Sequence, residues 1–275
     1  MPQQPVSVGA IHYTDTGRGI AVFLVHGYPL DGRVFGDVGA MLASSTLLPR
    51  GARVIVPDLP GFGQSKLNVS FHSHDLFRME TFATSLLELA DVLKIDRFVL
   101  AGLSMGGYVA QALYRIAPQR LLGLSFVGTR ANADDQAGKA GRNKMIELID
   151  RQGTAGVVEA MLPKMLHAGA YKLDPALVER QRDIMQSQNS VTLKHACVAM
   201  RDRSEFFSAL PTLSCPLQVI VGEGDVIAPV DVATKIVEMT PGARLDVIKG
   251  AGHMSPLEKP VTVAEALEGF LSGLK

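Results

Sequence analysis

Six short, mostly apolar runs, each stopped near a glycine or proline turn, constrain this chain more than any other feature. Ile20 to Val25 holds six residues without a charge and ends at His26-Gly27. Val54 to Val56 runs into Pro57-Asp58, Phe98 to Ala101 into Gly102, Leu122 to Val127 into Gly128, Leu217 to Val221 into Gly222, and Leu245 to Ile248 towards Gly250. Runs so short and so apolar suit strands covered on both faces, as in a parallel sheet. The turn residues mark where each strand hands over to a loop at the carboxyl edge.

Helical stretches lie between the runs. Met79 to Leu93 carries Met79, Phe82, Leu86, Leu89 and Leu93 at steps of three and four, with Glu80, Glu88 and Asp91 on other faces. Gly106 to Ala117 and Val230 to Met239 read similarly, the first stopping at Pro118 and the second before Pro241. The alternation predicts an α/β chain with a mostly parallel, doubly wound sheet and helices on both faces. Val6 to Thr14 is predicted as a flanking antiparallel strand or pair. From Arg130 to Leu210 the strands cease, and helical segments follow one another at Lys144 to Asp150, Thr154 to Leu166, Pro175 to Gln186 and Val191 to Met200. The division that follows is a core domain of residues 1–129 and 211–275 with a helical cap inserted at 130–210. Five of the eleven methionines fall in that insertion. They read first as helix packing and second as a pliable wall over a pocket.

The charges exclude several functions. Lys and Arg number 27 and Asp and Glu number 27, so there is no field for a phosphate backbone and nucleic acid is not expected. Two cysteines, Cys197 and Cys215, make no C-x-x-C pair, which favours a reducing compartment. Met1-Pro2-Gln3-Gln4-Pro5 lacks the charged and apolar regions of a signal peptide, and no apolar run approaches the roughly 20 residues of a membrane span. A cytoplasmic protein without membrane partners is expected. His72-Ser73-His74 with Asp75 is the nearest approach to a metal constellation and reads instead as an exposed loop. There is no H-E-x-x-H, no Walker lysine loop and no dinucleotide pattern, so neither metal nor cofactor is expected.

The chemistry concentrates at the strand ends. Gly102-Leu103-Ser104-Met105-Gly106 stands between an apolar strand and a helix, the setting of a nucleophile elbow, where glycines on either side of the serine make room for a strained turn. A serine at its ordinary pKa needs a positioned base, and the base needs an acid to hold its tautomer. Gly222-Glu223-Gly224-Asp225 and Gly250-Ala251-Gly252-His253 follow two later strands and supply Asp225 and His253 in that order. Glu223 is the nearest rival acid, and Asp134 and Asp135 are weaker ones. The N–H groups of Met105 and Tyr28 are the candidates for an oxyanion hole. His26 reads as structural, its ring fixing a His-Gly turn through backbone bonds.

These loops resemble those of the α/β-hydrolases. His26-Gly27-Tyr28-Pro29, Asp58-Leu59-Pro60-Gly61-Phe62-Gly63-Gln64-Ser65, Gly102 to Gly107, Gly222 to Asp225 and Gly250 to His253 are similar to five successive signature loops of that family, over about Ile11 to Leu271. The resemblance implies the α/β-hydrolase fold, acylation of Ser104, His253 as base and then acid, Asp225 as its orienting partner, and a lid after Gly128. Asp58 and Gln64 read as turn-forming, with pocket contact the lesser alternative. Gly27, Met145, Met161, Met165 and Met254 are the candidate pocket residues. Within the family, Ser104 argues against dehalogenases and epoxide hydrolases, which carry an aspartate at the elbow. Carbon–carbon bond hydrolases of ring-cleavage products generally carry a tryptophan, and this chain has none. The pattern is most similar to carboxylesterases and enol-lactone hydrolases, which implies a small-molecule ester or lactone partner. Carbon–carbon bond hydrolysis of ring-cleavage products, hydroxynitrile-lyase or perhydrolase chemistry at the same triad, and a ligand sensor with an idle triad, are the alternatives. Oligomeric state is not legible.

Overall fold

A computed structural model describes residues 2–68 and 77–274. Among them nine strands form one sheet: β1 Gln3–Val6, β2 Gly9–Gly17, β3 Ile20–Val25, β4 Ala52–Pro57, β5 Lys66–Leu67, β6 Phe98–Leu103, β7 Leu121–Val127, β8 Leu217–Gly222 and β9 Arg244–Ile248. Their order is β1-β2-β4-β3-β6-β7-β8-β9, with β5 paired to β2. The six strands from β4 to β9 along that path are parallel, and each contains one of the six runs predicted from sequence. The predicted amino-terminal flank is β1 and β2, which pair antiparallel to each other and, through β2, to β4.

Successive side chains of a strand face opposite ways. Val22 and Leu24 accordingly join one buried cluster, with Val38, Leu42, Leu267 and Phe270, while Phe23 and Val25 join another, with Phe82, Leu86, Val109 and Leu113. Two hydrophobic layers thus cover the sheet, which is why its strands are apolar throughout and not alternating.

The helices are α1 Gly36–Ser44, α2 Met79–Val92, α3 Met105–Ile116, α4 Gln136–Met161, α5 Ala170–Leu173, α6 Pro175–Gln186, α7 Ser190–Arg201, α8 Val230–Glu238, α9 Ser255–Glu258 and α10 Pro260–Ser272. Helices α4 to α7 occupy the stretch between β7 and β8. The first two helical segments read there from sequence are joined in α4, which breaks at Gly153 (φ 60°, ψ −151°). Asp135 caps α4, its carboxylate accepting from Gly138 N–H at 2.7 Å. None of the helices among the described residues is long and apolar enough to cross a membrane.

Register brings the loops together. Val25 pairs with Gly102, Leu103 with Val127, Val127 with Ile220 and Gly222 with Ile248. The carboxyl ends of β3, β6, β7, β8 and β9 therefore share one edge, where doubly wound sheets build their sites.

Candidate active site

Ser104 occupies the one-residue corner between β6 and α3 with φ 51° and ψ −110°. Such a conformation costs a non-glycine residue of order 1–3 kcal/mol and persists only where its surroundings impose it. Here they do. Ser104 N–H donates to Val127 O at 2.8 Å, and Ser104 O accepts from Thr129 Oγ1 at 2.7 Å and Gly107 N at 2.9 Å. A Cβ on Gly106 would lie 2.3 Å from Val25 O, and one on Gly102 would lie 2.3 Å from the Gly106 carbonyl, so both glycines are demanded by close backbone approach. The serine is partly exposed while its neighbours are buried, and it stands at the positive end of a twelve-residue helix.

Across the same edge, His253 Nδ1 and Asp225 Oδ2 are 2.8 Å apart, with side-chain exposures of 2% and 0%. The other carboxylate oxygen of Asp225 accepts from Ile227 N and Ala228 N, both at 2.8 Å. Those bonds fix the carboxylate plane, and the carboxylate in turn fixes the imidazole with its proton on Nδ1, leaving the Nε2 lone pair outward. Gly128, whose preceding residue holds Ser104 N–H, sits against the pair: a Cβ there would be 3.1 Å from Asp225 Oδ2 and 3.2 Å from His253 Nδ1. The loop after β7 thus touches both the serine and the histidine.

The loop after β3 closes the remaining side. A Cβ on Gly27 would lie 3.1 Å from Ser104 Cβ. Met105 N–H is one of the orphan donors that open α3, and among the described residues nothing accepts from Tyr28 N–H. Two backbone donors therefore flank the serine. His26 is wholly buried, its Nδ1 donating to Gly27 O and its Nε2 accepting from Leu59 N, both at 2.9 Å. Burial lowers its pKa, and with both nitrogens engaged by backbone it is structural, as the sequence reading held.

The rival residues are occupied elsewhere. Glu223 accepts from Gly250 N, and Asp134 binds Arg142 and Arg203. Asp58 takes Gly32 N on one oxygen and Gln64 N and His12 Nδ1 on the other, the bonding of a turn-forming residue. Asp58 and Gln64 do line a cavity of about 570 Å³ beside β2 and α1, together with His12, Asp31 and Arg33, and none of the triad candidates lines it. Its acids are already paired, Asp58 as above and Asp31 with Arg33 and Gln188, so it offers no reactive group comparable to Ser104. Of the candidate pocket methionines, Met145 is partly buried against the layer containing Tyr28, and Met161 touches both layers. Met165 and Met254 are fully buried, with Met254 N–H donating to Met165 O. His72, His74 and Asp75 lie outside the described residues.

Two features had no sequence signal. Glu258 accepts from Gly252 N at 2.8 Å and His167 N at 2.7 Å, tying the histidine loop to the end of the helical stretch. Burial raises its pKa although both bonds favour the anion. Around Tyr28, the hydroxyl accepts from Cys197 Sγ at 3.4 Å, and Arg142 belongs to the same cluster. Nothing local marks either set.

Comparison with known proteins adds the following. A family model described as the alpha/beta hydrolase family matches residues 22–266. The dihydrolipoyllysine-residue acetyltransferase component of an acetoin cleaving system from Pseudomonas putida is 31% identical over 92% of this chain, which spans only 64% of that protein. A 2-hydroxy-6-oxononadienedioate/2-hydroxy-6-oxononatrienedioate hydrolase from Burkholderia vietnamiensis is 26% identical, over 90% of this chain and 86% of its own. Among solved structures, a thermophilic esterase from Thermogutta terrifontis, with malate bound, superposes with a TM-score of 0.91 at 32% identity, covering 98% of both chains. The enol-lactonase of Burkholderia xenovorans LB400 superposes at 0.87 with 22% identity, over 98% of this chain and 100% of that one, a likeness of fold.

Proposed function

Because the chain belongs to the alpha/beta hydrolase family, we propose that it hydrolyses a small carboxylic ester or lactone through an acyl-enzyme on Ser104. The observation that carries this reading is the buried His253–Asp225 contact of 2.8 Å at the sheet edge that also bears the strained Ser104 corner. In the forward step His253 Nε2 takes the proton of Ser104 Oγ as the oxygen attacks the carbonyl carbon. Charge developing on the carbonyl oxygen meets the N–H groups of Tyr28 and Met105. His253 then protonates the departing alcohol oxygen, and a water activated by the same nitrogen releases the acid. Asp225 stabilises the transient imidazolium through its contact with Nδ1. Helices of residues 130–210 act as the cap, and the substrate is held between them and the strand-end loops. No resident cofactor enters any step.

Ser104→Ala is expected to abolish turnover of p-nitrophenyl acetate and labelling by a fluorophosphonate while leaving the circular-dichroism spectrum intact. Undiminished labelling would refute the assignment. The relatives named as hydrolases of dienedioates favour a second reading, carbon–carbon cleavage at the same triad. It predicts turnover of a vinylogous 1,5-diketone acid where simple esters are left unchanged.

A further inference from the structure

Arg142, paired to Asp134 through Nε, presents an Nη edge with no acceptor among the described residues, near the residue that carries a proposed oxyanion donor. Met145 and Ile149 follow it on α4 by three and seven residues and so share its face, and both pack into the layer that holds Tyr28, Tyr108 and Cys197. The Arg142 side chain is 27% exposed, enough to be reached from solvent. Its Nε donates to Asp134 Oδ2 at 3.0 Å, while Asp134 Oδ1 takes Arg203 Nη1 at 2.8 Å. Arg203 is consumed by further bonds to Met200 O and Asn132 O, and its guanidinium lies 3.9 Å from the Tyr108 ring. Among the described residues nothing accepts from the two Nη groups of Arg142.

The charges do not balance. Two guanidinium groups face one carboxylate whose oxygens are both engaged. Burial works against ionisation of Asp134, yet Arg142 and Arg203 outweigh it and hold its pKa below the usual carboxylate range, so it counts as one full negative charge. Tyr28 and Cys197 cannot supply the second, because burial pushes both well towards their neutral forms. Among the described residues one positive charge is left over, and a guanidinium whose two Nη groups carry no acceptor there matches a carboxylate in bidentate fashion.

Its place relative to the serine sets the kind of substrate. Tyr28 carries the proposed oxyanion N–H, and Tyr108 lies four residues beyond Ser104, about 6 Å along α3. Both lie close enough to Arg142 to interact with its charge. We propose that Arg142 binds a free carboxylate at the far end of a short acyl chain, so that the substrate is a half-ester or lactone of a small dicarboxylic acid and the product a dicarboxylate. This rests on the serine-hydrolase reading for its chemistry, though not for its binding.

The test compares p-nitrophenyl hemiglutarate with p-nitrophenyl butyrate. Arg142→Met is expected to lower the ratio of kcat/KM for the charged ester over the neutral one by about 10- to 100-fold, the range for loss of a charge-assisted hydrogen bond, with most of the change in KM. Arg142→Lys, which keeps the charge but not the fork, should restore part of the ratio. An equal loss on both esters would overturn the proposal. Binding of free glutarate, measured calorimetrically, reads the subsite without turnover. Wild-type binding that falls at least tenfold in Arg142→Met and is absent for glutaramide supports it. No binding by the wild type, or equal binding by both proteins, overturns it, whatever fluorophosphonate labelling says of Ser104.

Discussion

His26 and His253 stand in loops at the same sheet edge, on either side of Ser104, and both are buried. His26 spends each ring nitrogen on backbone: Nδ1 on Gly27 O and Nε2 on Leu59 N–H. Its tautomer is locked and it has no lone pair to offer. His253 spends only Nδ1, and on a carboxylate instead of a neutral carbonyl. A carboxylate there stabilises the protonated ring, whereas a carbonyl beside a fully desolvated ring does so far less. The proposed base is thus set apart by what its second nitrogen lacks and by what charge lies under the first. Position at the active edge is common to both.

The largest test of that contrast is His253→Ala, which should cost about 10⁴-fold or more in kcat on an activated ester, measured on the folded fraction. Next comes Asp225→Asn, expected to lower kcat by about 10³- to 10⁴-fold, because an amide no longer enforces a proton on Nδ1 or stabilises the imidazolium. Steady-state kinetics at pH 7 and 9 check both, and a loss under tenfold for Asp225→Asn would remove the carboxylate from the contrast. His26→Ala should act the other way. It orphans Leu59 N–H and Gly27 O, at about 1–3 kcal/mol for each buried group, so equilibrium unfolding should report a loss of about 2–6 kcal/mol. The kcat of the folded fraction should stay within about tenfold of wild type. A His26 variant as dead as the His253 variant would erase the distinction.

Much of this was legible in the sequence because chemistry and punctuation coincide. Ser104, Asp225 and His253 each follow an apolar run that ends in glycine, and the parallel register then carries all three to one edge without further information. His26 was legible as structural for a similar reason, its bonds being to backbone next to it and to the turn after β4. Arg142, Asp134 and Arg203 were not. They come from the start of the helical stretch and from beyond its last helix, about sixty residues apart, and an arginine on a polar helix face reads as solvated until the fold shows what covers it. The same holds for Glu258, whose partners Gly252 and His167 meet only when the helical stretch folds back onto the histidine loop. The gap read between the segments Lys144 to Asp150 and Thr154 to Leu166 falls where Gly153, at φ 60° and ψ −151°, interrupts the helical backbone of α4.

The smallest effect is a slope, and it probes the comparison without removing any of the proposed catalytic groups. Burial lowers the pKa of His26 below its ordinary 6.5, and the nearby Asp58 and Asp31 offset only part of that. Above pH 6.5 neither the folded nor the unfolded chain protonates this ring, and its contribution to stability is complete. As the pH falls from 6.5 towards the folded value, the unfolded chain binds a proton that the folded one refuses, and the contribution is lost at up to about 1.4 kcal/mol per pH unit. His26→Ala lacks that term while keeping the other titrating groups, so the stability gap between wild type and variant should narrow between pH 7 and pH 5. The carboxylates with lowered values, Asp31, Asp134, Asp202 and Glu205, lose their contributions only as the pH falls through their ordinary values of 3.8 and 4.5 and below, outside this window. Urea denaturation at half-unit steps of pH gives the gap directly. A gap that stays constant would mean the folded state protonates His26 as readily as the unfolded one, in which case both histidines could exchange a proton and the bonding of Nε2 to Leu59 would not be what separates them.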